Sequence, residues 1–178
     1  MINKGYLTAK TNKASDEVFT PEYVVNKIIP HIKIFAERLN KIITIWCPFD
    51  EKDSAFVEVL TKHGFNVVYS HINNGQNFFE YEPDNYDVII SNPPFSIKDD
   101  ILKRLYELNK PYAILMPLPV LQGQKRFEYM KDCQVLTFNK RINFYKDKNT
   151  KEIQKGVSFA TIYLCRNFLE KDLIFDKI

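Results

Sequence analysis

The segment Asn92-Pro93-Pro94-Phe95 contains the residue types best suited to chemistry in this sequence. It follows Val88-Ile89-Ile90, a continuous apolar run that is typical of a strand buried on both faces. The two prolines fix φ and remove two backbone donors, and Pro93 keeps Asn92 out of the helical region. A carboxamide and an aromatic ring are therefore held in a stiff turn. We expect this turn at the carboxyl end of a central strand, where open α/β sheets bind ligands.

The elements that must position this turn alternate between strands and helices. We predict a helix after Thr20 as N-cap with Pro21 at its first position, and a kink or division at Pro30. The other predicted helices begin at Asp53 or Ser54 and at Asp99, and cover 121–130. Predicted strands are 42–46, 65–69, 88–90, 112–116, 134–138 and 157–165. This order predicts an α/β fold with a mostly parallel central sheet and helices on both faces.

Length and composition indicate one globular domain. The 178 residues can bury a sizeable core, and we assign residues 1–16 to a flexible arm and 17–178 to a single domain. The formal net charge of +3 tolerates a nucleic-acid partner without requiring one. The three cysteines are widely spaced, no signal peptide is evident and no apolar run is long enough for a membrane span. A cytoplasmic location without membrane association is expected.

Asn92-Pro93-Pro94-Phe95 resembles the catalytic motif of the amino-methyltransferases, which transfer a methyl group from S-adenosylmethionine to an exocyclic amine. In that family the Asn side chain and the first proline's carbonyl accept hydrogen bonds from the target NH2, and the aromatic ring stacks on the target base. Two acceptors aimed at the amine hydrogens favour a tetrahedral nitrogen whose lone pair points at the methyl donor. A simple strand-ending Pro-Pro turn is the structural alternative.

Three more segments resemble elements of N6-adenine methyltransferases, especially the short phage and restriction-type enzymes. Phe19-Thr20-Pro21 resembles the F-T-P element, where a helix start meets the cofactor's carboxylate. Asn77-Phe78-Phe79 resembles the element whose acid meets the cofactor's adenine amine. Arg141-Ile142-Asn143-Phe144 resembles the R-I-x-F element, whose aromatic lies near the target base. The resemblance implies a Rossmann-like class I methyltransferase domain with S-adenosylmethionine as cofactor.

The resemblance assigns roles to individual residues. The implied catalytic residues are Asn92, Pro93, Pro94 and Phe95. The implied cofactor-binding residues are Phe19, Thr20, Pro21, Trp46, Cys47, Pro48, Phe49, Asp50, Ser54, His71, Asn77 and Phe78. The implied substrate-binding residues are Phe95, Lys98, Arg141 and Phe144. The three histidines His31, His63 and His71 share no metal-binding spacing, so no metal site is predicted.

The loop after the first strand departs from the family pattern. Cys47 stands where the family has an acid that pairs with the cofactor's ammonium, and Glu51 and Asp53 stand where it has glycines. Asp50 or Asp53 could supply the missing charge from a rebuilt loop, and Ser54 a hydroxyl. Alternatively, cofactor binding is weakened or lost. The acid that usually binds the ribose is replaced by the Ser70-His71 region.

Basic residues in the second half of the chain suit contact with phosphates near a target base. They are Lys125, Arg126, Lys131, Lys140, Arg141, Lys146 and Lys148, with Phe and Tyr between them. A solvated surface explains the same residues equally well.

The predicted activity is methyl transfer from S-adenosylmethionine to adenine N6. DNA is the favoured substrate and RNA the alternative, and a target base in a duplex would be flipped out. A protein glutamine amide presents a similar planar NH2. Because no separate target-recognition domain is predicted, specificity is relaxed, or comes from the loop 145–156, a partner or a second copy of the chain. The alternative from another class is a catalytically inactive methyltransferase-like protein that binds nucleic acid or a protein.

Overall fold

A computed structural model of the chain describes residues 18–147, 149–154 and 160–178. The predicted flexible arm, residues 1–16, lies outside the described residues. Lys148 and residues 155–159 also lie outside them. Residues 148, 155 and 156 belong to the loop 145–156, and residues 157–159 belong to the predicted strand 157–165.

The described residues form seven strands and four α-helices. The strands are β1 Thr44–Cys47, β2 Asn66–Tyr69, β3 Val88–Ser91, β4 Tyr112–Pro117, β5 Cys133–Phe138, β6 Thr161–Arg166 and β7 Leu173–Asp176. The helices are α1 Glu22–Leu39, α2 Ala55–Lys62, α3 Lys98–Leu108 and α4 Phe127–Met130.

All seven strands belong to one sheet with the order β2-β1-β3-β4-β6-β5-β7. Only β6 runs antiparallel to its neighbours β4 and β5, and the other pairs are parallel. The carboxyl ends of six strands therefore meet at one edge, which we call the carboxyl edge. The Asn92 turn follows β3 at this edge.

The core has two layers because successive side chains of each central strand point to opposite faces. Ile45, Val88 and Ile90 pack with α1 and α2 on one face. Trp46 and Ile89 pack with α3 on the other. Helices thus cover both faces of a mostly parallel sheet, and the predicted Rossmann-like α/β architecture is confirmed.

The predicted start of α2 is confirmed, and a glycine follows its end. The Ser54 hydroxyl accepts a hydrogen bond from the Val57 N–H at 3.2 Å and caps α2, so Ser54 and not Asp53 is the N-cap. Gly64 follows the end of α2 with φ +83°, the left-handed conformation that glycine adopts without a Cβ penalty.

Two expectations about α1 need correction. The N-cap is Pro21, and no described side chain, including that of Thr20, caps the helix. Of the predicted kink or division at Pro30, the division is wrong, because the helix continues to Leu39. Pro30 lies on the exposed side while Ile28, Ile29 and Ile32 are buried around it. Burial of this apolar stripe therefore outweighs the one hydrogen bond that proline removes.

The region after β4 and the far edge of the sheet also differ from expectation. The predicted helix 121–130 contains only α4 and short 3-10 turns, because Gln122 is extended and Gly123 follows it with φ 169°. Strand β7 was not predicted, and two of its four side chains, Leu173 and Phe175, are exposed. Its short sequence does not alternate apolar and polar residues as a half-buried strand does. The segment is a strand because it pairs with β5.

Replacement of a core residue in β3 should test this two-layered core. Ile89 is fully buried, so Ile89→Ala should lower the free energy of unfolding by about 2–5 kcal/mol. Phe175→Ala, at a side chain that is 76% exposed in β7, should change it by less than about 0.5 kcal/mol. Urea unfolding of both variants measures the difference, and equal losses would contradict the described packing.

Candidate active site

A pocket of about 740 Å³ opens at the carboxyl edge, a volume within the usual range for small-molecule sites. Its walls come from the start of α1, the turns after β1 and β2, and the Asn92 turn after β3. The structure brings twelve of the predicted site residues into this one pocket. They are Phe19, Thr20, Pro48, Phe49, Asp50, Ser54, His71, Asn77, Phe78, Asn92, Pro93 and Pro94.

Asn92 presents an acceptor that no group in the described part of the chain satisfies. Its Nδ2 donates to the Val18 carbonyl at 3.5 Å, which orients the carboxamide. Its Oδ1 is buried and has no hydrogen-bond partner among the described residues. An unpaired buried acceptor costs about 1–3 kcal/mol, and a ligand donor would remove that cost. Asn92 can therefore accept a hydrogen bond from an N–H or O–H group bound in the pocket.

Asp50 joins the ends of three strands. It follows β1, its N–H donates to the Ser70 carbonyl after β2 at 3.2 Å, and its Oδ2 accepts from the Ser91 hydroxyl of β3. Burial raises the pKa of Asp50 to about 6, and the hydrogen bonds from Ser91 and Ser54 oppose that rise by stabilising the carboxylate. A bound cation would replace the lost hydration of this carboxylate.

Trp46 and Cys47, both predicted to bind the cofactor, do not line the pocket and are fully buried. Trp46 Nε1 donates to the Ser70 hydroxyl at 2.9 Å, and Cys47 belongs to the core beneath the helices. Burial, with the nearby Asp50 charge, raises the pKa of the Cys47 thiol well above its usual value. Both residues support the pocket from behind. Pro21 is also buried and acts as the N-cap of α1 outside the lining.

The loop between Cys47 and Ser54 contains no glycine, and none of its residues has a positive φ. It therefore needs no residue with glycine's backbone freedom. The bonds of Asp50 to Ser70 and Ser91 organise the loop instead. Glu51 lines the pocket and accepts from Asn73 Nδ2 at 3.4 Å. Backbone and side-chain hydrogen bonds together thus shape the loop, and the pocket remains open.

The start of α1 lies in the wall of the same pocket. Thr20, Glu22 and Tyr23 line it, and no described side chain caps the helix. The first N–H groups of a helix carry partial positive charge and suit a carboxylate. The pocket therefore combines a helix start with the Asp50 carboxylate, a combination that can hold the two charges of an amino-acid group.

His71, Asn77 and Phe78 form the side of the pocket after β2. His71 Nδ1 accepts from the Asn73 N–H at 3.2 Å, which requires a neutral ring and leaves the proton on Nε2. The 3.8 Å separation from Glu51 is too long for a competing hydrogen bond. Asn77 Oδ1 accepts from the Phe79 N–H, and Phe78 packs on Phe49 with ring centroids 4.8 Å apart. This side offers aromatic surface and side-chain polar groups.

The predicted substrate-binding residues are not part of this pocket. Phe144 is fully buried and packs edge-on against Phe95 at 6.4 Å between centroids, so it supports the Asn92 turn from behind. Lys98 begins α3 outside the lining. Arg141 lines a second, smaller cleft.

Several residues that build the site were not singled out from the sequence. The Val18 carbonyl accepts a hydrogen bond from Asn92, and the Ser91 hydroxyl donates one to Asp50. Tyr145 lines the pocket and pairs with Phe19 through two backbone hydrogen bonds of 2.8 and 2.9 Å. The pairing joins the F-T-P and R-I-x-F segments. Ser91 carried a signal, because it is a polar residue at the end of an apolar strand. Val18 and Tyr145 carried none.

The remaining histidines have structural partners. His31 is buried in α1 and lies 3.0 Å from Glu170, and His63 contacts Asn26 at 3.2 Å. Within the described residues, no group of three or more His, Cys, Asp or Glu is arranged to hold a metal. In the same part of the chain, no helix has the length and apolar character needed to cross a membrane.

Comparisons with known proteins gave structural likenesses only. No family model matches the chain, and no curated protein matches it significantly in sequence. A type I restriction-modification methyltransferase subunit from Streptococcus thermophilus is 13% identical, with a TM-score of 0.47. The match covers 89% of this chain and 46% of the subunit's chain. A dimethyladenosine transferase from Plasmodium falciparum is 11% identical, with a TM-score of 0.49. The match covers 84% of this chain and 62% of the transferase's chain. The chain therefore spans less than two thirds of either protein.

Removal of the Ser91 hydroxyl should raise the pKa of Asp50 above about 6, because the hydroxyl stabilises the ionised carboxylate. Carbon-13 NMR titration of the Asp50 carboxyl group in wild type and Ser91→Ala measures this change. Ser96→Ala, at an exposed serine beyond the turn, is the control and should leave the pKa unchanged. An unaltered Asp50 pKa in Ser91→Ala would contradict the assigned hydrogen bond.

The raised pKa of Asp50 also predicts how the free energy of unfolding changes with pH. Because the folded-state pKa of Asp50 lies above its ordinary value of 3.8, the folded state binds this proton more tightly than the unfolded state. Asp50 therefore lowers the free energy of unfolding as pH rises from about 4 to above 6. Asp50→Asn should remove that part of the pH dependence, as urea unfolding at several pH values would measure.

Proposed function

We propose that this chain is an S-adenosylmethionine-dependent methyltransferase that methylates the exocyclic N6 amine of adenine, most readily in DNA. The observation that carries the proposal is the unpaired, buried Asn92 Oδ1 at the end of β3. Such an acceptor suits one hydrogen of an NH2 group. Its place beside Pro93 and Pro94, in a pocket with opposite charges for an amino-acid group, supports both a methyl acceptor and a methyl donor.

The chain's residues would orient the acceptor amine. Asn92 would hold one amine hydrogen, with the carboxamide kept in place through its bond to the Val18 carbonyl. A fixed acceptor turns the nitrogen lone pair out of conjugation with the ring and towards the methyl donor. The two prolines keep this turn rigid, so little order is lost when the amine binds.

The residues present fit S-adenosylmethionine, which supplies an electrophilic methyl group when bound. The N–H groups at the start of α1 would hold its carboxylate, and Asp50 would take the ammonium in place of an acid at Cys47. His71 Nε2 would donate to the ribose. Phe49 and Phe78 would contact the adenine, and Asn77 would hydrogen-bond it.

The choice of acceptor is the less constrained part of the proposal. Adenine in RNA and the amide of a protein glutamine present the same planar NH2 to Asn92. A transfer assay with labelled methyl groups on DNA, RNA and glutamine-containing protein decides between them. Calorimetry with S-adenosylmethionine tests the enzyme itself, because absence of binding at millimolar concentration would favour an inactive, methyltransferase-like binding protein.

Asn92→Ala should lower methyl transfer by about 10²–10³-fold, because it removes an acceptor that positions the amine. Cofactor affinity should stay within a factor of about two, since Asn92 is assigned to the acceptor and not the donor. The matched control is Asn85→Ala, at an exposed asparagine preceding the opposite end of β3. Single-turnover transfer and calorimetry give the two values, and full transfer by Asn92→Ala would remove Asn92 from this role.

Cofactor affinity should rise with pH between 5 and 7, because Asp50 with a pKa of about 6 must lose its proton to pair with an ammonium group. Binding below that pKa should release a proton, which calorimetry in buffers of different ionisation enthalpy detects. Asp50→Asn should bind more weakly at pH 7 and show a flatter pH dependence. If the variant binds as wild type does, the ammonium is held elsewhere.

A further inference from the structure

A second cleft of about 440 Å³ adjoins the proposed active site. Its nine lining residues include four cationic side chains and no acidic side chain. The cations are Lys27, Lys140, Arg141 and Lys177, and we call the site the basic cleft. Tyr23 and Tyr145 line both the basic cleft and the Asn92 pocket, so the two sites share a wall.

Topology explains why these cations gather beside Asn92. Strands β5 and β7 run parallel to β3, so the residues that follow them reach the carboxyl edge. The Asn139 N–H donates to the Asp176 carbonyl at 3.0 Å, and the Ile178 N–H donates to Asn139 Oδ1 at 2.9 Å. These bonds hold Lys140 and Arg141 next to Lys177.

The charge of the basic cleft is largely uncompensated. Lys27 pairs with Asp176 at 3.2 Å, whereas Lys140, Arg141 and Lys177 have no acidic partner in the described part of the chain. Two other basic residues of the second half have acidic partners. Arg126 contacts Asp99 at 2.8 Å, and Lys131 contacts Glu128 at 2.6 Å.

Among the basic residues of the second half, Lys131 and Lys140 lie at opposite edges of the sheet, because Lys131 precedes β5 and Lys140 follows it. A six-residue strand spans about 20 Å. Lys140 and Arg141 line the cleft at the carboxyl edge, beside the Asn92 pocket.

We propose that the basic cleft binds the phosphodiester backbone of the nucleic-acid strand whose base enters the Asn92 pocket. The inference rests on the proposed function, and it favours a nucleic acid over a protein as the substrate class. Phosphates beside the target nucleotide lie in the cleft. The shared tyrosine wall lies between backbone and base, where an aromatic ring can stack on sugar or base.

The tyrosine wall is held in place by the protein itself. The Asn143 N–H donates to the Tyr23 hydroxyl oxygen at 3.2 Å, which ties α1 to the segment that carries Arg141. Tyr145 is fixed by its backbone pairing with Phe19. The cleft and the pocket therefore keep a constant separation, as recognition of a phosphate and a base of one nucleotide requires.

The test is the affinity for a fluorescent single-stranded DNA, and for an RNA of the same sequence, at several salt concentrations. The variant is Lys140→Gln/Arg141→Gln. The matched control is Lys103→Gln/Lys131→Gln, which removes the same charge from exposed cations that are paired with Glu107 and Glu128. Thermal melting of all three proteins checks the fold, and calorimetry with S-adenosylmethionine checks the Asn92 pocket.

The Lys140/Arg141 variant should bind DNA about tenfold more weakly, and its slope of log affinity against log salt should be smaller by about 1.4, the value for two lost phosphate contacts on a single strand. The control should behave as wild type. Equal affinity of variant and wild type would overturn the proposal. An equal loss in both variants would also overturn it, because net charge alone would then explain binding. If the variant binds RNA more weakly than wild type does but binds DNA equally well, the cleft is a phosphodiester-binding site for RNA.

Transfer assays separate this inference from the proposed function. If wild type methylates DNA while the cleft variant binds DNA normally, the cleft proposal fails and the function stands. If the variant loses DNA affinity while wild type methylates neither DNA nor RNA, the cleft proposal stands and the function fails. Methylation of a glutamine peptide, with equal DNA affinity in all three proteins, would overturn both.

Discussion

The arrangement of the carboxyl edge depends on the buried carboxylate of Asp50. The carboxylate accepts a hydrogen bond from Ser91 at the end of β3, and the backbone N–H of Asp50 donates to the carbonyl of Ser70 after β2. The ends of three neighbouring strands are thereby tied to one residue that is 6% exposed. Burial raises the pKa of Asp50 to about 6, so the group that organises the pocket is also poised to receive a cation.

This constraint explains how the loop after β1 keeps its shape without glycine. Glycine serves such loops where the backbone must adopt a positive φ, and no residue between Cys47 and Ser54 does so. The hydrogen bonds that Asp50 makes to Ser70 and Ser91, and not the backbone freedom of glycine, shape this loop. The negative charge of this loop therefore lies at Asp50 on the pocket wall, while Cys47 is buried in the core.

The alternation of strands and helices was predictable because buried strands and amphipathic helices have distinct hydrophobic periods. The Asn92 turn was predictable for a similar reason, since two prolines after an apolar run can end it in few ways. The division expected at Pro30 did not occur because burial of the apolar stripe of α1 outweighs the local preference of proline. The helix expected at 121–130 is interrupted by the extended backbone of Gln122 and Gly123. Strand β7 was missed because its pairing partner β5, and not its own composition, makes it a strand.

The sequence by itself determined the fold class, the central strand and the stiff turn that carries Asn92, because these depend on interactions between residues close in the chain. Tertiary structure alone decided what surrounds that turn. Val18 beside Asn92, Ser91 bonded to Asp50, and Lys177 beside Arg141 are pairs that the sheet order brings together across 74, 41 and 36 positions respectively. Such contacts depend on which strands become neighbours, and no local pattern encodes that choice.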